Sequence, residues 1–535
     1  MSKEWKWVLV VSAVALLLTS IPYLLGLVLQ TETRVFGGFV IAVEDIYSYL
    51  AKMRRGAEGD WLFHVSYTPE PHSGTLFYLF YLLLGKAAAC LPGMDLTSRI
   101  VCTYHAARWL FGTGLLLTVY RFLAAFTADR RERQMAFLFV AFGGGFGWLL
   151  MLLGQSGWLG SLPLDFILPE GFTFLVLYTL PHIALARTLF LWGILFLLRA
   201  WGLLSFSPTS RAARFSILAG LAWFLMGLIL PFYLAVAWAV TGAMGLALAL
   251  RQRRLPWREA RLALLPLLIP APVVLYSVWV FASDAVYASW AAQNLIRSPH
   301  PLHYLAAFGL LLALGALAAR RTWREEGPGW TMLAWIAVVP LLAYLPVNVQ
   351  RRLVEGVQIP LSLLAARGVV GLARPGTRLQ AITLPLLVVL SLTNGVLVGG
   401  SCLAVTLQSP PIFRDIREVA ALDWLNDRVQ ADDVVLAAYE TGNYLPVRVG
   451  ARVFVGHGPE SVNCAEKKRL VARFFDPATS DVWRRELLAE YQIDWVFWDP
   501  PTQALGDFDP RGAPYLELVY QDGEYAILQV AEETE

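Results

Sequence analysis

The sequence predicts a polytopic α-helical membrane protein, with about eleven transmembrane helices and a small C-terminal α/β domain outside the membrane. The apolar composition is the first observation: 57% of the 535 residues are hydrophobic and only 16% are charged, with a mean hydropathy of +0.55. Soluble proteins carry roughly 25% charged residues. The second is a change of pattern near the C-terminus, which divides the chain into a membrane domain, 1–407, and a soluble domain, 408–535.

Eleven apolar runs are long enough to cross a hydrocarbon core about 30 Å thick as helices. They lie at approximately 7–29, 97–127, 135–153, 183–204, 215–231, 233–250, 263–282, 303–319, 330–347, 357–373 and 379–407. The further apolar run from Gly74 to Leu91 is assigned to the outer interface, because counting it as a span would break the alternation of charged loops described next.

Basic residues precede the first span and follow every second one, which predicts that these loops are cytoplasmic. The clusters are Lys3 and Lys6; Arg130, Arg131 and Arg133; Arg211 and Arg214; Arg251, Arg253, Arg254, Arg258 and Arg261; Arg320, Arg321 and Arg324; and Arg374 and Arg378. The N-terminus is then cytoplasmic in a prokaryotic plasma or inner membrane, while a first loop at about 30–96 and the tail lie outside. A net charge of +3 without a basic block argues against nucleic acid as a partner.

The tail alternates helical stretches with short β-rich runs, which predicts a small α/β domain. The predicted helices cover Ile416 to Arg428 and Val482 to Tyr491. The predicted strands are Val434–Ala438, Arg452–Val455, Trp495–Trp498, Leu516–Tyr520 and Tyr525–Val530.

The first outer loop contains the segment EDIYSYLAKMRRG, in which apolar residues recur at helical spacing. It predicts an amphipathic helix that lies on the membrane surface, opens with Glu44 and Asp45, and ends at Gly56. The acidic pair could cap this helix and complement its dipole. Alternatively, one carboxylate could be a general base, and the two roles are compatible.

This layout resembles the GT-C superfamily of glycosyltransferases, which includes the protein O-mannosyltransferases and the aminoarabinose transferase of lipid A. The shared features are an acidic pair after the first span, a surface helix, an apolar interfacial helix, many further spans and an outer tail. The resemblance implies inverting sugar transfer from a polyprenyl-phosphate-linked donor to an acceptor on the outer face. Asp45 is then the catalytic base, with Glu44 as the near alternative. A clean acidic-x-acidic motif is missing from the later loops, which argues against a required metal. A divalent metal is possible, and no cofactor is certain.

A leaving lipid phosphate requires cations, and guanidinium groups suit it because they bind bidentately. Arg351 and Arg352, in the segment NVQRRLVEGVQIP, are the main exception to the cytoplasmic bias of arginine. They could hold the donor phosphate, or they could pair with Glu355 or contact bulk headgroups. Arg187 and His182, in the fourth span, are further candidates, because a charge at that depth normally faces a protein interior or a watery cavity.

Several residues are candidates for the acceptor pocket: Tyr47, His64, Glu70, His72, Glu355 and His457. His64, Glu70 and His72 lie in HVSYTPEPH, which could shape the acceptor or phosphate pocket or hold a metal. His457 lies in the stretch TGNYLPVRVGARVFVGHGPESVNC, which is interpreted either as a loop lowered over the cavity or as turns between strands.

The transferase hypothesis requires the carboxylate of Asp45 and the guanidinium groups of Arg351 and Arg352 to converge on one outward-facing pocket. Two rival functions remain open, a transporter or flippase of lipid-linked sugars and a non-catalytic scaffold of the same architecture. A transporter would more naturally show inverted repeats, and none is visible in the sequence.

Overall fold

The structure is a computed structural model that describes residues 2–204, 211–372 and 380–531. Arg374 and Arg378 lie outside the described residues. The helices are α1 (Lys3–Val28), α2 (Val43–Glu58), α3 (Leu79–Ala89), α4 (Leu96–Leu123), α5 (Arg130–Phe142), α6 (Gly147–Leu152), α7 (Leu164–Ile167), α8 (Thr173–Thr179), α9 (Pro181–Ala200), α10 (Ala212–Ile229), α11 (Tyr233–Gln252), α12 (Trp257–Leu268), α13 (Ala271–Ser283), α14 (Ala285–Gln293), α15 (Leu302–Arg324), α16 (Trp330–Ala343), α17 (Gln358–Leu372), α18 (Gln380–Thr406), α19 (Ile416–Asn426), α20 (Tyr439–Arg448), α21 (Cys464–Phe474), α22 (Asp481–Glu490) and α23 (Pro500–Gln503).

The strands are β1 (Arg34–Phe36), β2 (Phe413–Asp415), β3 (Val434–Leu436), β4 (Arg452–Val453), β5 (Trp495–Trp498), β6 (Leu516–Asp522) and β7 (Tyr525–Val530). The chain divides into two compact units. Unit 1 comprises Met1–Ile21, Ala106–Val278 and Leu295–Gly400, and unit 2 comprises Pro22–His105, Trp279–Asn294 and Ser401–Glu535. The predicted tail therefore lies in unit 2 together with the whole of the predicted first loop.

Unit 1 is a helical bundle whose core is built from apolar side chains, with Trp223 and Trp335 fully buried. Within it α9 packs on α10, α15 packs on α17, and α5 packs on α17. Over the described residues of the whole chain, seven helices are long and apolar enough to cross a membrane. The pair α12 and α13, bent by 43°, makes up to eight. The chain is thus a multi-pass membrane protein, and the count of eleven spans stays a prediction.

Each of the eleven predicted runs coincides with helix, but three of them depart from a simple span: the third, the ninth, and the seventh, which is the bent pair α12 and α13. The third run is broken into α5 and α6 at residues 143–146, where a Cβ on Gly145 would lie 2.5 Å from the carbonyl oxygen of Ala307. The buried carboxylate of Asp165 accepts hydrogen bonds from the amides of Gly145 and Gly147, both at 2.9 Å. The ninth, α16, has 14 residues, which corresponds to only about 21 Å of helix.

Unit 2 contains a five-stranded mixed sheet in the order β4-β3-β5-β7-β6. Strand β3 is parallel to β4 and β5, whereas β7 is antiparallel to β5 and β6. All five strands coincide with predicted ones, and the two predicted tail helices correspond to α19 and α22. A second, two-stranded sheet pairs β1 with β2 in antiparallel register. Helices α20 and α21 were not predicted.

The first outer loop forms helices α2 and α3, which pack closely through two glycines. A Cβ on Gly56 would lie 2.2 Å from the carbonyl oxygen of Leu82, and one on Gly85 would lie 1.8 Å from that of Met53. Gly56 therefore allows close packing and does not end α2, which continues to Glu58 and is capped by Gly59 at φ 125°. Helix α3 has 11 residues, about 16 Å, which is too short for a span, as predicted.

The prediction that α2 lies on the membrane surface is wrong in one respect, because protein covers both of its faces. Its apolar residues Ile46, Leu50 and Met53 are fully buried, and helices α3 and α20 pack against it. Lys52 and Arg54, expected on a polar outer face, are also buried. The sequence period correctly predicted a helix, but not what covers it.

Candidate active site

The acidic pair of unit 2 lies in the first turn of α2. The residue that caps this helix is Ala42, which has φ 49° and makes no side-chain capping bond. Glu44 and Asp45 are exposed and stand where two carboxylates interact favourably with the helix dipole. The dipole interpretation is therefore supported, while the side-chain cap expected at this terminus is missing.

The Asp45 carboxylate contacts a histidine from the other end of the chain. His457 Nε2 lies 3.1 Å from Asp45 Oδ1, and its Nδ1 lies 3.4 Å from Glu460 Oε1. Asp45 is 60% exposed, whereas His457 is 10% exposed. Burial alone would lower the pKa of His457, but the hydrogen bond to Asp45 and the charge of Glu460 raise it to about 9. At neutral pH this ring is therefore an imidazolium that donates to Asp45.

Glu460 in turn is held by buried donors from α2. Lys52 Nζ lies 2.7 Å from Glu460 Oε1, and the Ser48 hydroxyl donates to the same oxygen at 2.9 Å. Burial would raise the pKa of Glu460, but the Lys52 charge and the contact with His457 lower it to about 2. The ammonium of Lys52 also lies 4.2 Å from the ring centroid of Tyr78, a cation–π distance. These contacts favour the ionised form of the buried Glu460 carboxylate.

Glu44 has a different environment. The Tyr439 hydroxyl lies 3.2 Å from Glu44 Oε2, and the Gly458 amide donates to the Tyr439 oxygen at 3.2 Å. Burial, followed by the charge of Glu44, raises the pKa of the Tyr439 hydroxyl. Glu44 therefore has a hydrogen-bonded neutral partner, whereas Asp45 has a charged one. The two carboxylates remain separate candidates for the base.

The segment expected to be a loop over the cavity is partly helical. Its first half forms α20, whose buried residues include Thr441, Asn443 and Tyr444, and β4 follows. The turn after β4 carries His457 and leads into a short 3-10 helix, Gly458–Glu460. Only this second part behaves as the predicted turn between elements.

The histidines of the first loop are used within the protein. His72 Nδ1 donates to the Glu70 carbonyl oxygen at 2.8 Å, and its Nε2 accepts the Val65 amide at 2.8 Å. Burial lowers the pKa of His72, which keeps the ring neutral. The Glu70 carboxylate pairs with Lys467 at 2.7 Å, and the ring of His64 lies 5.8 Å from that of His72. Among the described residues, no group of three or more histidine, cysteine or acidic side chains is placed to hold a metal.

Tyr47, predicted to line a pocket, is completely buried. Its hydroxyl donates to the carbonyl oxygen of Pro411 at 2.7 Å, and its ring lies 4.9 Å from that of Tyr444. These contacts join α2 to the tail and favour a structural role.

The predicted phosphate ligands and Glu355 belong to unit 1, where they form a separate cluster. The guanidinium of Arg187 is fully buried and holds Glu355 through two bonds, Nε to Oε1 at 2.5 Å and Nη2 to Oε2 at 2.9 Å. It also donates to Thr173 Oγ1 and to the carbonyl oxygens of Pro169 and Glu170. Arg187 is thus committed to protein partners, and Glu355 pairs with it rather than with the arginines next to it in sequence.

Arg351 and Arg352 are half-buried in a 3-10 helix, Gln350–Val354. Arg352 Nε lies 3.7 Å from the buried carboxylate of Glu170, and its guanidinium lies 5.7 Å from the Phe232 ring centroid. For the Arg351 guanidinium no hydrogen bond or ion pair is formed with any described residue, although it interacts with Glu170 at longer range. His182 is buried in the first turn of α9. Arg351 is therefore the cation of this cluster that is most available to an added anion.

Three participants were missed from the sequence: Lys52, Glu170 and Tyr439. Lys52 lies off the apolar face of the predicted helix, and its partner Glu460 lies 408 positions away. A sequence gives no signal for such a pairing. Glu170, a lone acidic residue in an apolar stretch, could have been noticed, because an acidic group in such a setting needs a cation.

Comparisons with known proteins support the fold and little beyond it. No protein-family model and no curated protein sequence matches the chain. Among solved structures it is similar to ArnT from Cupriavidus metallidurans, with a TM-score of 0.55, 12% identity, and coverage of 99% of this chain and 98% of that one.

It is also similar to the oligosaccharyltransferase of Archaeoglobus fulgidus, with a TM-score of 0.52, 13% identity, and coverage of 98% of this chain and 74% of that one. Both are GT-C glycosyltransferases. The resemblance predicted from the first loop is thereby confirmed at the level of architecture, and this chain has the GT-C fold.

Proposed function

We propose that this protein is a membrane glycosyltransferase that moves a sugar from a polyprenyl-phosphate-linked donor to an acceptor on the extracytoplasmic face. The observation that carries the proposal is the exposed Asp45 carboxylate, held by His457 in a chain of the GT-C fold. Related folds have been solved with lipid phosphates, namely ArnT with undecaprenyl phosphate and the archaeal enzyme with dolichol-phosphate. A donor of this class suits the present chain.

In the proposed reaction Asp45 acts as the general base. An acceptor hydroxyl is a weak nucleophile, so a carboxylate must take its proton as the oxygen attacks the anomeric carbon. The bond between that carbon and the phosphate oxygen breaks on the opposite face, which inverts the anomeric configuration. The electron pair of that bond leaves with the lipid phosphate. Asp45 is suited to the step because its carboxylate is open to solvent while one oxygen is fixed by the buried imidazolium.

The leaving phosphate needs positive charge, and Arg351 is the proposed ligand. In its cluster three arginines face two glutamates, Glu170 and Glu355, so one positive charge is left over. Arg187 is saturated by its protein contacts, whereas the Arg351 guanidinium forms no hydrogen bond with any described residue, so its N–H groups can donate to a phosphate. Arg352 is the second proposed ligand, because its contact with Glu170 is long and its side chain is 32% exposed. Since Arg351 and Arg352 differ in their contacts, their variants should differ in effect.

The test uses the full chain reconstituted in liposomes with undecaprenyl-phosphate donors carrying a panel of sugars, mannose, glucose and aminoarabinose among them. Release of sugar from the lipid is measured for the wild type and for Asp45→Asn, Glu44→Gln and Asp507→Asn. The proposal expects Asp45→Asn to lose at least about a hundredfold in rate. Glu44→Gln should retain most of the activity, and Asp507→Asn, which changes an exposed carboxylate of the tail, should match the wild type.

Each contrary result identifies its own error. Full activity of Asp45→Asn together with an inactive Glu44→Gln would move the base to Glu44. Movement of the lipid between leaflets without release of sugar would indicate a transporter. If neither sugar release nor lipid movement occurs with any donor, the result would favour the non-catalytic scaffold.

A further inference from the structure

The ring of His457 lies between an exposed carboxylate and a buried one. Asp45 Oδ1 is 3.1 Å from Nε2 and open to solvent, while Glu460 Oε1 is 3.4 Å from Nδ1 and buried. Glu460 cannot turn away easily, because Lys52 and Ser48 already hold the same oxygen. The network therefore runs from a fixed buried ion pair through the imidazole to the one carboxylate that a substrate can reach.

Only the doubly protonated ring presents an N–H to both neighbours, although its Nδ1 contact with Glu460 is an ion-pair contact without hydrogen-bond geometry. A neutral imidazole carries one N–H, so one of its nitrogens must turn a lone pair towards a carboxylate. If Nδ1 keeps the hydrogen, Nε2 repels Asp45, and if Nε2 keeps it, Nδ1 repels Glu460. Loss of one proton therefore either releases Asp45 or strains the buried contact that orients the ring.

The two tyrosines around His457 do not supply an alternative acid, whereas Lys52, whose pKa is lowered by burial, is a second group that can lose a proton at alkaline pH. The ring of Tyr67 lies 5.8 Å from that of His457, and its hydroxyl donates to the Asn443 carbonyl oxygen. Tyr439 binds the adjacent Gly458 amide and Glu44. The described charged groups that influence the ring are thus Asp45 on the open side and Glu460, backed by Lys52, on the buried side.

We propose that His457 is a positioning residue, which Glu460 and Lys52 lock in place and which holds Asp45 in its reactive orientation only while both ring nitrogens are protonated. This inference rests on the proposed role of Asp45 as the base. It assigns the fall in kcat at alkaline pH to loss of a proton from His457. Glu460 then sets the pH at which this fall occurs. His457 touches the base and not the substrate, so its loss should lower kcat more than it changes KM.

The sign of the pH dependence follows from the raised pKa of His457, which is about 9. The ring is protonated below that pH, so kcat should be high there and should fall as pH rises through about 9. In Glu460→Gln the buried negative charge is gone, so the ring should lose its proton at a pH lower by about one unit or more. In His457→Gln the amide can still donate to Asp45 but does not titrate, so the alkaline fall should disappear.

The experiment measures two quantities on the full chain in lipid nanodiscs. The first is the pH profile of kcat with the undecaprenyl-phosphate donor that the wild type turns over. The second is the pKa of His457, followed by mass spectrometry of deuterium exchange at the ring C2 hydrogen, which needs no substrate. The variants are Glu460→Gln and His457→Gln, and the matched control is Glu466→Gln, an exposed glutamate paired with Arg469.

The inference expects the alkaline fall and the His457 pKa to move down together in Glu460→Gln, to stay in place in Glu466→Gln, and the fall to vanish in His457→Gln. An alkaline fall that keeps its position in all three variants would overturn it, as would an ordinary pKa for His457. The proposed function fails separately, through full activity of Asp45→Asn. An inactive Asp45→Asn combined with an unmoved alkaline fall would refute only the positioning role.

Discussion

The replacement Glu355→Gln separates a structural from a ligand-binding role for the Arg187 cluster. Glu355 is completely buried and accepts two hydrogen bonds from the Arg187 guanidinium. Glutamine keeps the shape of the side chain but removes its charge. The guanidinium then remains buried without a counter-ion, because its other partners are the Thr173 hydroxyl and two carbonyl oxygens. We therefore expect Glu355→Gln to destabilise unit 1.

The expected cost is large because the cation cannot reach water. Removing one partner of a buried ion pair costs about 3 to 5 kcal/mol, and glutamine should fall near the lower end because its oxygen still accepts one hydrogen bond. The matched control is Glu325→Gln, which changes the partner of Arg321 and Arg367. Glu325 is 35% exposed and its contacts are 3.0 and 3.3 Å. Arg321 is 73% exposed and Arg367 keeps Glu132 as a second partner at 3.4 Å, so the cost should be that of an exposed pair, about 0 to 1 kcal/mol.

The assay is thermal unfolding of the purified protein in detergent, followed by the loss of monodisperse material on size-exclusion chromatography. We expect the midpoint for Glu355→Gln to fall by several degrees and that for Glu325→Gln to stay within about a degree of the wild type. An unchanged midpoint for Glu355→Gln, accompanied by weaker binding of undecaprenyl phosphate, would refute the structural assignment. It would return Arg187 to the list of phosphate ligands.

Two further replacements test the proposed phosphate ligand of the same cluster and the packing of the first loop. Arg351→Gln should raise KM for the lipid donor about tenfold or more, the equivalent of one charge-assisted hydrogen bond. The unfolding midpoint should stay unchanged. A loss of stability without an effect on KM would contradict the role of Arg351 as a phosphate ligand. Gly85→Ala should lower the midpoint, because its Cβ would lie 1.8 Å from the Met53 carbonyl oxygen. The control is Gly114→Ala, where a Cβ meets nothing within 4 Å, and its unfolding midpoint should equal that of the wild type. Equal midpoints for the two alanine variants would show that α2 and α3 do not need this close approach.

The parts of the fold that follow local rules were predictable. The five strands of the main sheet contain β-branched or aromatic residues between turn signals, and all five formed where predicted. Helix α20 was missed because Gly442 and Pro446 lie inside it, and both have poor helix propensity. It forms because tertiary contacts override propensity, since its middle is buried and a Cβ on Gly442 would lie 2.0 Å from the Val455 carbonyl oxygen.

The candidate site could be predicted from the sequence only in part, and its contacting pairs could not be predicted at all. Asp45 was identified from its place after the first span, and His457 from a turn rich in glycine. Their contact joins positions 412 apart. The same is true of Lys52 and Glu460, whose charges look like ordinary surface charges in sequence. Pairing is decided by how α2 and the strand ends of the tail fold together, and no local pattern records it.

Arg187 and Arg351 illustrate why a buried charge alone does not identify a ligand site. Arg187 was a candidate because it lies deep within an apolar stretch. At that depth an unpaired guanidinium is costly, so the fold must also provide it with hydrogen-bonding or charged partners. Glu355 meets that need, so the most deeply buried arginine is the one least able to accept a substrate. Arg351 is only half-buried, and its guanidinium forms no hydrogen bond with any described residue, so it could donate to a phosphate without giving up a protein partner. In a helical membrane protein, a better indicator of an anion site is a cation whose neighbouring carboxylates are already occupied by other cations.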